Sequence, residues 1–321
     1  MKLRAGVVGA GYLGTFHCEK YTQIDGVELA AVADTDEGKR MAAHKRFGVP
    51  AYASYRDLED RVDIVSVVVP TVHHYEVAGF FLKKGIPVLL EKPITDTVPH
   101  ARRLVNLAGR SNTVFQIGHL ERFNSAIRTV KNMITRPVFI EAHRLSPFTA
   151  RGTDVDVIRD LMIHELDIIF SLVQSDIVTI DAVGVPVLTD KIDIANARLT
   201  FKNGCVANVT ASRVSTERMR KIRLFQKDSY FSIDYGASKV HIVRINQGKQ
   251  PELGAEQLDI SREDSLFEEI KSFVHAVKTG TEPVVKGVDG LLALESAFRI
   301  LAKIEKNLRA RDYPGHATPP A

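Results

Sequence analysis

Along the first 120 residues, short runs that are apolar on both faces alternate with segments of helical periodicity. Residues 3–8, 27–33, 63–69, 87–90 and 114–117 are rich in Val, Ile and Leu on both faces rather than alternating, the pattern of parallel strands covered by helices on both faces. Between them, residues 15–22, 37–47, 74–84 and 99–110 predict helices, the third stopped by Gly85. Repeated βα beats predict an α/β domain, a doubly wound parallel sheet, over residues 1–120.

After about residue 136 the rhythm changes. One helix, 157–173, precedes strand-like runs at 178–187, 195–201, 205–212, 222–226, 230–235 and 240–245. Lys202-Asn203-Gly204 predicts a hairpin turn, because Asn-Gly tolerates the positive φ angles such turns need. Helices return at 265–278 and 290–309, and the Pro/Gly-rich tail 313–321 is expected to be loose. Residues 121–321 are therefore expected to form a second, α+β domain with a largely antiparallel open sheet.

Composition narrows the class. Of 321 residues, 45% are hydrophobic and 26% charged, the balance of a globular chain rather than a disordered one. The net charge of +4 is spread along the chain, so no element carries the concentrated basic patch of a nucleic-acid binder; a mild excess suits an anionic small molecule. Cys18 and Cys205 stand far apart, without the spacing of a disulfide framework or a metal site, and reduced cytoplasm is the expected compartment. Apolar stretches such as 64–69 and 161–173 are too short or too charged to span a membrane. The apolar run near Lys2 and Arg4 breaks at once into glycines, which reads as a strand entering a turn rather than a signal peptide.

The turn is Gly9-Ala10-Gly11-Tyr12-Leu13-Gly14, a GxGxxG between a strand and a helix. Gly9 suits the tight turn, Gly11 lets backbone approach a pyrophosphate, and Gly14 lets helix and strand pack closely. Asp34 ends the second strand 20 residues beyond Gly14, where a carboxylate accepts hydrogen bonds from an adenosine ribose. That carboxylate repels a 2′-phosphate, so NAD is expected over NADP; Arg40, a turn further on, is the nearby cation that argues the other way.

Two further groups carry candidate chemistry. Glu91-Lys92-Pro93 closes the strand before the last of the first domain, which delivers Lys92 to the carboxyl end of the sheet. On the helix around Asp160, a regular 100° step places Asp156, Asp160, His164, Asp167 and Ser171 in a stripe roughly 80° wide. Most of the rest of that helix is apolar, so the stripe suits either a buried helix that presents acids and a histidine to a cleft or an i,i+4 ion pair at a domain interface.

Together these segments resemble the glucose–fructose oxidoreductase/inositol dehydrogenase (Gfo/Idh/MocA) family. The resemblance rests on Gly9 to Gly14, Pro70-Thr71-Val72-His73-His74, Glu91-Lys92-Pro93 and Asp160-Leu161-Met162-Ile163-His164, in that order. It implies NAD(P)-dependent oxidation or reduction of a sugar or cyclitol, and a second-domain sheet that often mediates assembly; a homodimer or homotetramer is expected. Cofactor contacts are carried over to Gly9, Gly11, Tyr12, Leu13, Gly14, Asp34, Pro70, Thr71, His74, Glu91 and Lys92, with Thr71 departing from the family's Asn. The segment from Gly118 to Asn124, with Asp160 to Asp167, is similar to members that act on nucleotide-activated N-acetyl sugars, the UDP-N-acetylglucosamine 3-dehydrogenase group. Arg122 and Asn124 then join Lys92, Asp160 and His164 as substrate-binding candidates, and Arg213, in a basic run, either meets a pyrophosphate or lies on a solvated face.

The resulting expectation is a dehydrogenase in which His164 takes a hydroxyl proton, Lys92 stabilises the developing alkoxide and Asp160 orients the pair. The reverse assignment, with Lys92 as base, stays open. So do a free sugar or inositol as substrate, and a non-catalytic NAD-binding regulator on the same fold. No metal site, nucleic-acid partner or membrane partner is expected.

Overall fold

In the computed structural model, which describes residues 2–149, 155–246 and 252–310, one sheet is built from β1 (Leu3–Val8), β2 (Val27–Ala33), β3 (Ala51–Tyr52), β4 (Ile64–Val67), β5 (Val88–Glu91) and β6 (Phe115–Gly118). Every pair is parallel and the order is β3-β2-β1-β4-β5-β6. Helices α1 (Tyr12–Thr22), α2 (Glu37–Phe47), α3 (His74–Lys83) and α4 (Val98–Ser111) lie between its strands in sequence. Strand order reverses between β1 and β4, so the loops that follow them open on one crevice at the carboxyl ends. Ala5, Val7, Val32, Ile64 and Leu89 are fully buried here, with Cys18 and Tyr21 of α1 packed against them.

The second sheet has eight strands in the order β14-β13-β12-β11-β7-β10-β9-β8. They are β7 (Pro137–Leu145), β8 (Ile177–Val185), β9 (Ile194–Phe201), β10 (Val206–Ser212), β11 (Met219–Gln226), β12 (Ser229–Asp234), β13 (Lys239–Asn246) and β14 (Glu252–Asp259). The sheet is antiparallel except at its middle, where β7 pairs with β10 in parallel. Its alternate residues, among them Ile140, Ala142, Val209, Ile222 and Phe231, join a core with α6 (Ile163–Val173) and the buried side of α5 (Ser125–Lys131). The other face of the sheet is left to half-buried and polar side chains.

The last two helices, α7 (Ser265–Thr279) and α8 (Gly287–Arg309), correct the expected division of the chain at 120/121. One compact unit comprises residues 1–123 and 264–292, the other 124–263 and 293–321. Ile270, Phe273 and Val274 of α7 bury into the same core as Ala5 and Cys18, and Lys20 of α1 pairs with Asp264 at 2.7 Å. The returning chain also covers the exposed edge of β6, where Ile117 N–H donates to Val285 O at 3.1 Å. Helical periodicity locates α7 but carries no signal of which core it joins. The tail expected to be loose, 313–321, lies outside the described residues.

Candidate cofactor and catalytic site

The glycine loop is dictated by crowding. Gly9 has φ +99°, and a Cβ on it would stand 2.3 Å from Val68 O; one on Gly14 would stand 1.7 Å from Gly9 O. Gly11 is the N-cap of α1 and supplies no capping side chain, the first turn carries no acid, and a Cβ on Gly11 would meet nothing within 4 Å. The helix thus presents uncapped amides and the positive end of its dipole to open space, and a dinucleotide diphosphate fits that cradle. Asp34 stands beside it. Its Oδ2 accepts Ala10 N–H at 2.7 Å and its Oδ1 accepts Asp36 N–H at 2.9 Å, which leaves lone pairs on both oxygens for ribose hydroxyls. Arg40 is tied back, donating through Nη1 to Asp34 O and Thr35 O, each at 2.9 Å. Tyr12 is exposed at the start of α1 and packs edge-on against Phe16, and Leu13 is half-buried.

The segment after β4 begins at exposed Pro70 and makes a short turn, Thr71–His73, into α3. Thr71 is half-buried on that turn. His74 is 1% exposed, and its ring nitrogens lie 2.8 Å from Pro93 O and 2.9 Å from Val69 O. Burial holds this imidazole below its ordinary pKa range, against the two carbonyls and the Glu91 charge, which favour the imidazolium. His74 therefore acts on the cofactor loops by joining them, its ring turned to backbone rather than to a ligand. Glu91 ends β5 half-buried; one carboxylate oxygen meets His17 Nε2 at 3.0 Å and the other accepts Lys92 N–H at 3.3 Å. Lys92 is half-buried between Glu91 and Pro93.

In the other unit, the helix expected over 157–173 starts with a π-helical turn, Ile158–Met162, before the regular turns of α6. The predicted stripe divides there. Asp156 is buried and accepts Arg159 N–H at 2.9 Å and Arg159 Nε–H at 2.6 Å, and Asp167 is buried too. Asp160 and His164 stay half-buried. Beside His164, Glu165 is completely buried, paired with Arg144 Nη1 at 2.9 Å and hydrogen-bonded by the Tyr235 hydroxyl. Sequence reasoning passed over Glu165 and His17; for Glu165 the one signal was a further acid on a mostly apolar helix, and the mixed composition of α1 offered none for His17.

Other candidates meet neighbours inside their own unit. Asn124 caps α5, its Oδ1 accepting Ala126 N–H at 3.0 Å while its Nδ2 donates to Tyr235 O at 3.3 Å, so the amide expected to hold substrate is engaged at both ends. Arg213, the pyrophosphate candidate, is only 4% exposed. Its Nε lies 3.2 Å from Asp193 and its Nη2 donates to Val155 O and Ile192 O. Arg122 is nearly buried in the turn Leu120–Phe123, with Nη2 3.9 Å from Asp289. Its neighbours His119, Glu121 and Phe123 are buried.

A parallel sheet of this order, with an uncapped glycine-loop helix and an acid at the end of β2, defines an NAD-binding Rossmann oxidoreductase. The chain belongs to the Gfo/Idh/MocA family. Residues 3–119 match its model of an oxidoreductase family with an NAD-binding Rossmann fold, and residues 126–229 match its C-terminal domain. The chain is similar to UDP-N-acetylglucosamine 3-dehydrogenase of Acidithiobacillus ferrooxidans, 36% identical over 96% of this chain and 99% of the relative. The structure of that enzyme superposes with a TM-score of 0.91 over the same shares. Myo-inositol 2-dehydrogenase of Thermotoga maritima is 26% identical over 95% of this chain and 97% of its own. Scyllo-inositol dehydrogenase from Lactobacillus casei, solved with NAD(H) and scyllo-inositol, shares the fold at a TM-score of 0.81 and 19% identity, over 96% and 98% of the two chains. Among the described residues no helix is long and apolar enough to cross a membrane.

Proposed function

We propose that this protein oxidises a secondary alcohol of a nucleotide-activated N-acetyl sugar, with UDP-N-acetylglucosamine the first substrate to test and C3 the carbon oxidised. The observation that carries this reading is the 36% identity, over 96% of the chain, to an enzyme of that activity, in a chain that keeps Lys92, Asp160 and His164. Bound NAD supplies the hydride acceptor. The protein's own part is the proton and the charge. His164 takes the hydroxyl proton, an imidazole being able to do so near neutral pH. Lys92 stabilises the oxygen as it becomes an alkoxide and then a carbonyl. Asp160, four residues before His164 on the same helix, orients the imidazole. No catalytic step needs a metal ion.

The test is a panel of nucleotide sugars, free sugars and inositols with NAD and NADP, followed by absorbance of the reduced cofactor. Turnover of UDP-N-acetylglucosamine with a 3-keto product supports the assignment. Turnover of inositols alone moves the enzyme to the other branch of its family, and no turnover with any alcohol favours a regulator.

The same reading includes cytoplasmic location and assembly through the open sheet. Across that face the register aligns Asp181, Arg198, Asn208, Glu141 and Arg223 in one row, with Arg223 3.0 Å from Glu141. Beside them lies an aromatic group of Phe139, Phe225 and Tyr230. Mixed charge with an apolar centre suits a self-complementary two-fold contact.

A further inference from the structure

We infer that His17 is a positioning residue for Lys92, acting through the Glu91 carboxylate; the inference rests on the reading that Lys92 acts in the reaction. His17 lies on α1 and its side chain is fully buried, while that of Glu91 is 13% exposed. Three features fix the carboxylate. His17 Nε2 holds Oε1 at 3.0 Å, and Lys92 N–H donates to Oε2 at 3.3 Å. The third is an absence: Gly118 on β6 pairs with Glu91, and a Cβ there would stand 3.1 Å from the carboxyl carbon and from both oxygens. The carboxylate fills the space a side chain would take.

Nδ1 of His17 is buried and has no hydrogen-bond partner among the described residues, so the ring is held through Nε2 to Glu91 alone. An apolar pair would fill this space with a smaller desolvation penalty. What the polar pair adds is direction, because it ties the backbone N–H of Lys92 to the glycine-loop helix. On the other side His74 holds Pro93 O at 2.8 Å, so residue 92 is fastened at both flanking positions.

The experiment compares His17→Leu, His17→Gln, Glu91→Gln and Gly118→Ala with Lys92→Met in the full chain. The first readout is the NMR methyl resonance of reductively methylated Lys92, assigned by its loss in Lys92→Met. It is expected to shift or broaden in His17→Leu and to recover in His17→Gln, which keeps an N–H donor. In the kinetics, His17→Leu is expected to lose up to about 10²-fold in kcat, the scale set by ångström-sized misplacement, with the Kd for NAD within about threefold. Gly118→Ala displaces Glu91 without touching His17 and is expected to lose less. Should His17→Leu fail to fold, Gly118→Ala and Glu91→Gln carry the same comparison. An unmoved Lys92 resonance in the folded variants overturns the inference, as does normal kcat in them while Lys92→Met is inactive. An active Lys92→Met would instead refute the catalytic reading and leave the resonance to decide the positioning.

Discussion

Replacing Asp34 tests the cofactor assignment where the geometry is most explicit. Its carboxylate already accepts two backbone N–H groups, from Ala10 at 2.7 Å and Asp36 at 2.9 Å, and has about two acceptor positions left for ribose hydroxyls. Loss of a hydrogen bond to a charged group amounts to about 1.5–3 kcal/mol, so Asp34→Ala should raise the Kd for NAD roughly 10- to 150-fold. NADP reports the opposite sign. Two unit charges ~4 Å apart repel by roughly 4 kcal/mol at an effective dielectric of about 20. Asp34 is half-buried, and screening by salt leaves a discrimination against NADP of about 10- to 100-fold. In Asp34→Ala that repulsion is gone while Arg40 stays tied to Asp34 O and Thr35 O, each at 2.9 Å, so the gain for NADP comes from the lost repulsion. Calorimetric titration of both cofactors into wild type, Asp34→Asn and Asp34→Ala measures the ratio, and the wild-type preference should shrink as salt rises. Tighter binding of NADP by wild type, or an unchanged ratio in Asp34→Ala, would refute the reasoning.

Lys92→Met and His164→Ala should each bind NAD nearly as wild type does and lose about 10²–10⁴-fold in kcat, the double variant losing less than the product. A rate limb near neutral pH that persists in His164→Ala would transfer the base to another group, Lys92 first. Arg213→Met strips the fully buried Asp193 of its cation, so it should destabilise by about 3–5 kcal/mol in a melting experiment with KM unchanged; a raised KM at unchanged Tm would restore Arg213 to the substrate. For Asp193, burial raises the pKa but is outweighed by the amides of Thr189, Val187 and Leu188 and the Thr189 hydroxyl, so its pKa is lowered. A folded pKa below the unfolded one gives stability that is present above about pH 4 and lost as pH falls through the folded value. Asp193→Asn should therefore melt lower at pH 7 and show a flatter fall of Tm below about pH 4. Light scattering at micromolar concentration should give a dimer or tetramer, and a monomer would remove the sheet face as a contact.

Local order was legible wherever a segment's neighbours in space are also its neighbours in sequence. The glycine loop, Asp34 and the alternation of strands and helices are of this kind, because each βα unit packs on the one before it. β7 was not: it opens with Pro137 and interleaves Glu141 and His143 with its apolar residues. Ile140 and Ala142 are buried because that face of the sheet joins the core with α5 and α6. α7 was predicted almost to the residue yet placed in the wrong unit, since an amphipathic stripe records that a helix is buried and not against what. Arg213 and Asn124 show the same blindness for polar residues. Each has the chemistry to bind a sugar nucleotide, and sequence alone does not show that each also satisfies a neighbour inside its own unit.

The helix of Asp160 and His164 is where a regular period misleads most usefully. A π turn accommodates one extra residue, so positions before it are rotated against those after it, and a stripe drawn at 100° per residue cannot run through Ile158–Met162 unbroken. The consequence is a separation of roles that an ideal helix would blur. Asp156 and Asp167, inside the predicted stripe, turn into the structure, while Glu165, outside it, becomes the buried partner of Arg144 and Tyr235. Through Glu165, three residues beyond the turn that carries Asp160, the helix is fastened to β7 and to the residue after β12. A π turn costs hydrogen-bond regularity, and such turns are frequent where a side chain must be aimed. What remains half-buried of the predicted stripe beyond Ser171 is the pair that the family resemblance selected, Asp160 and His164. The irregularity and the proposed chemistry thus fall on the same five residues and the two that follow, which supports the proposed catalytic reading of this helix over that of an ion pair.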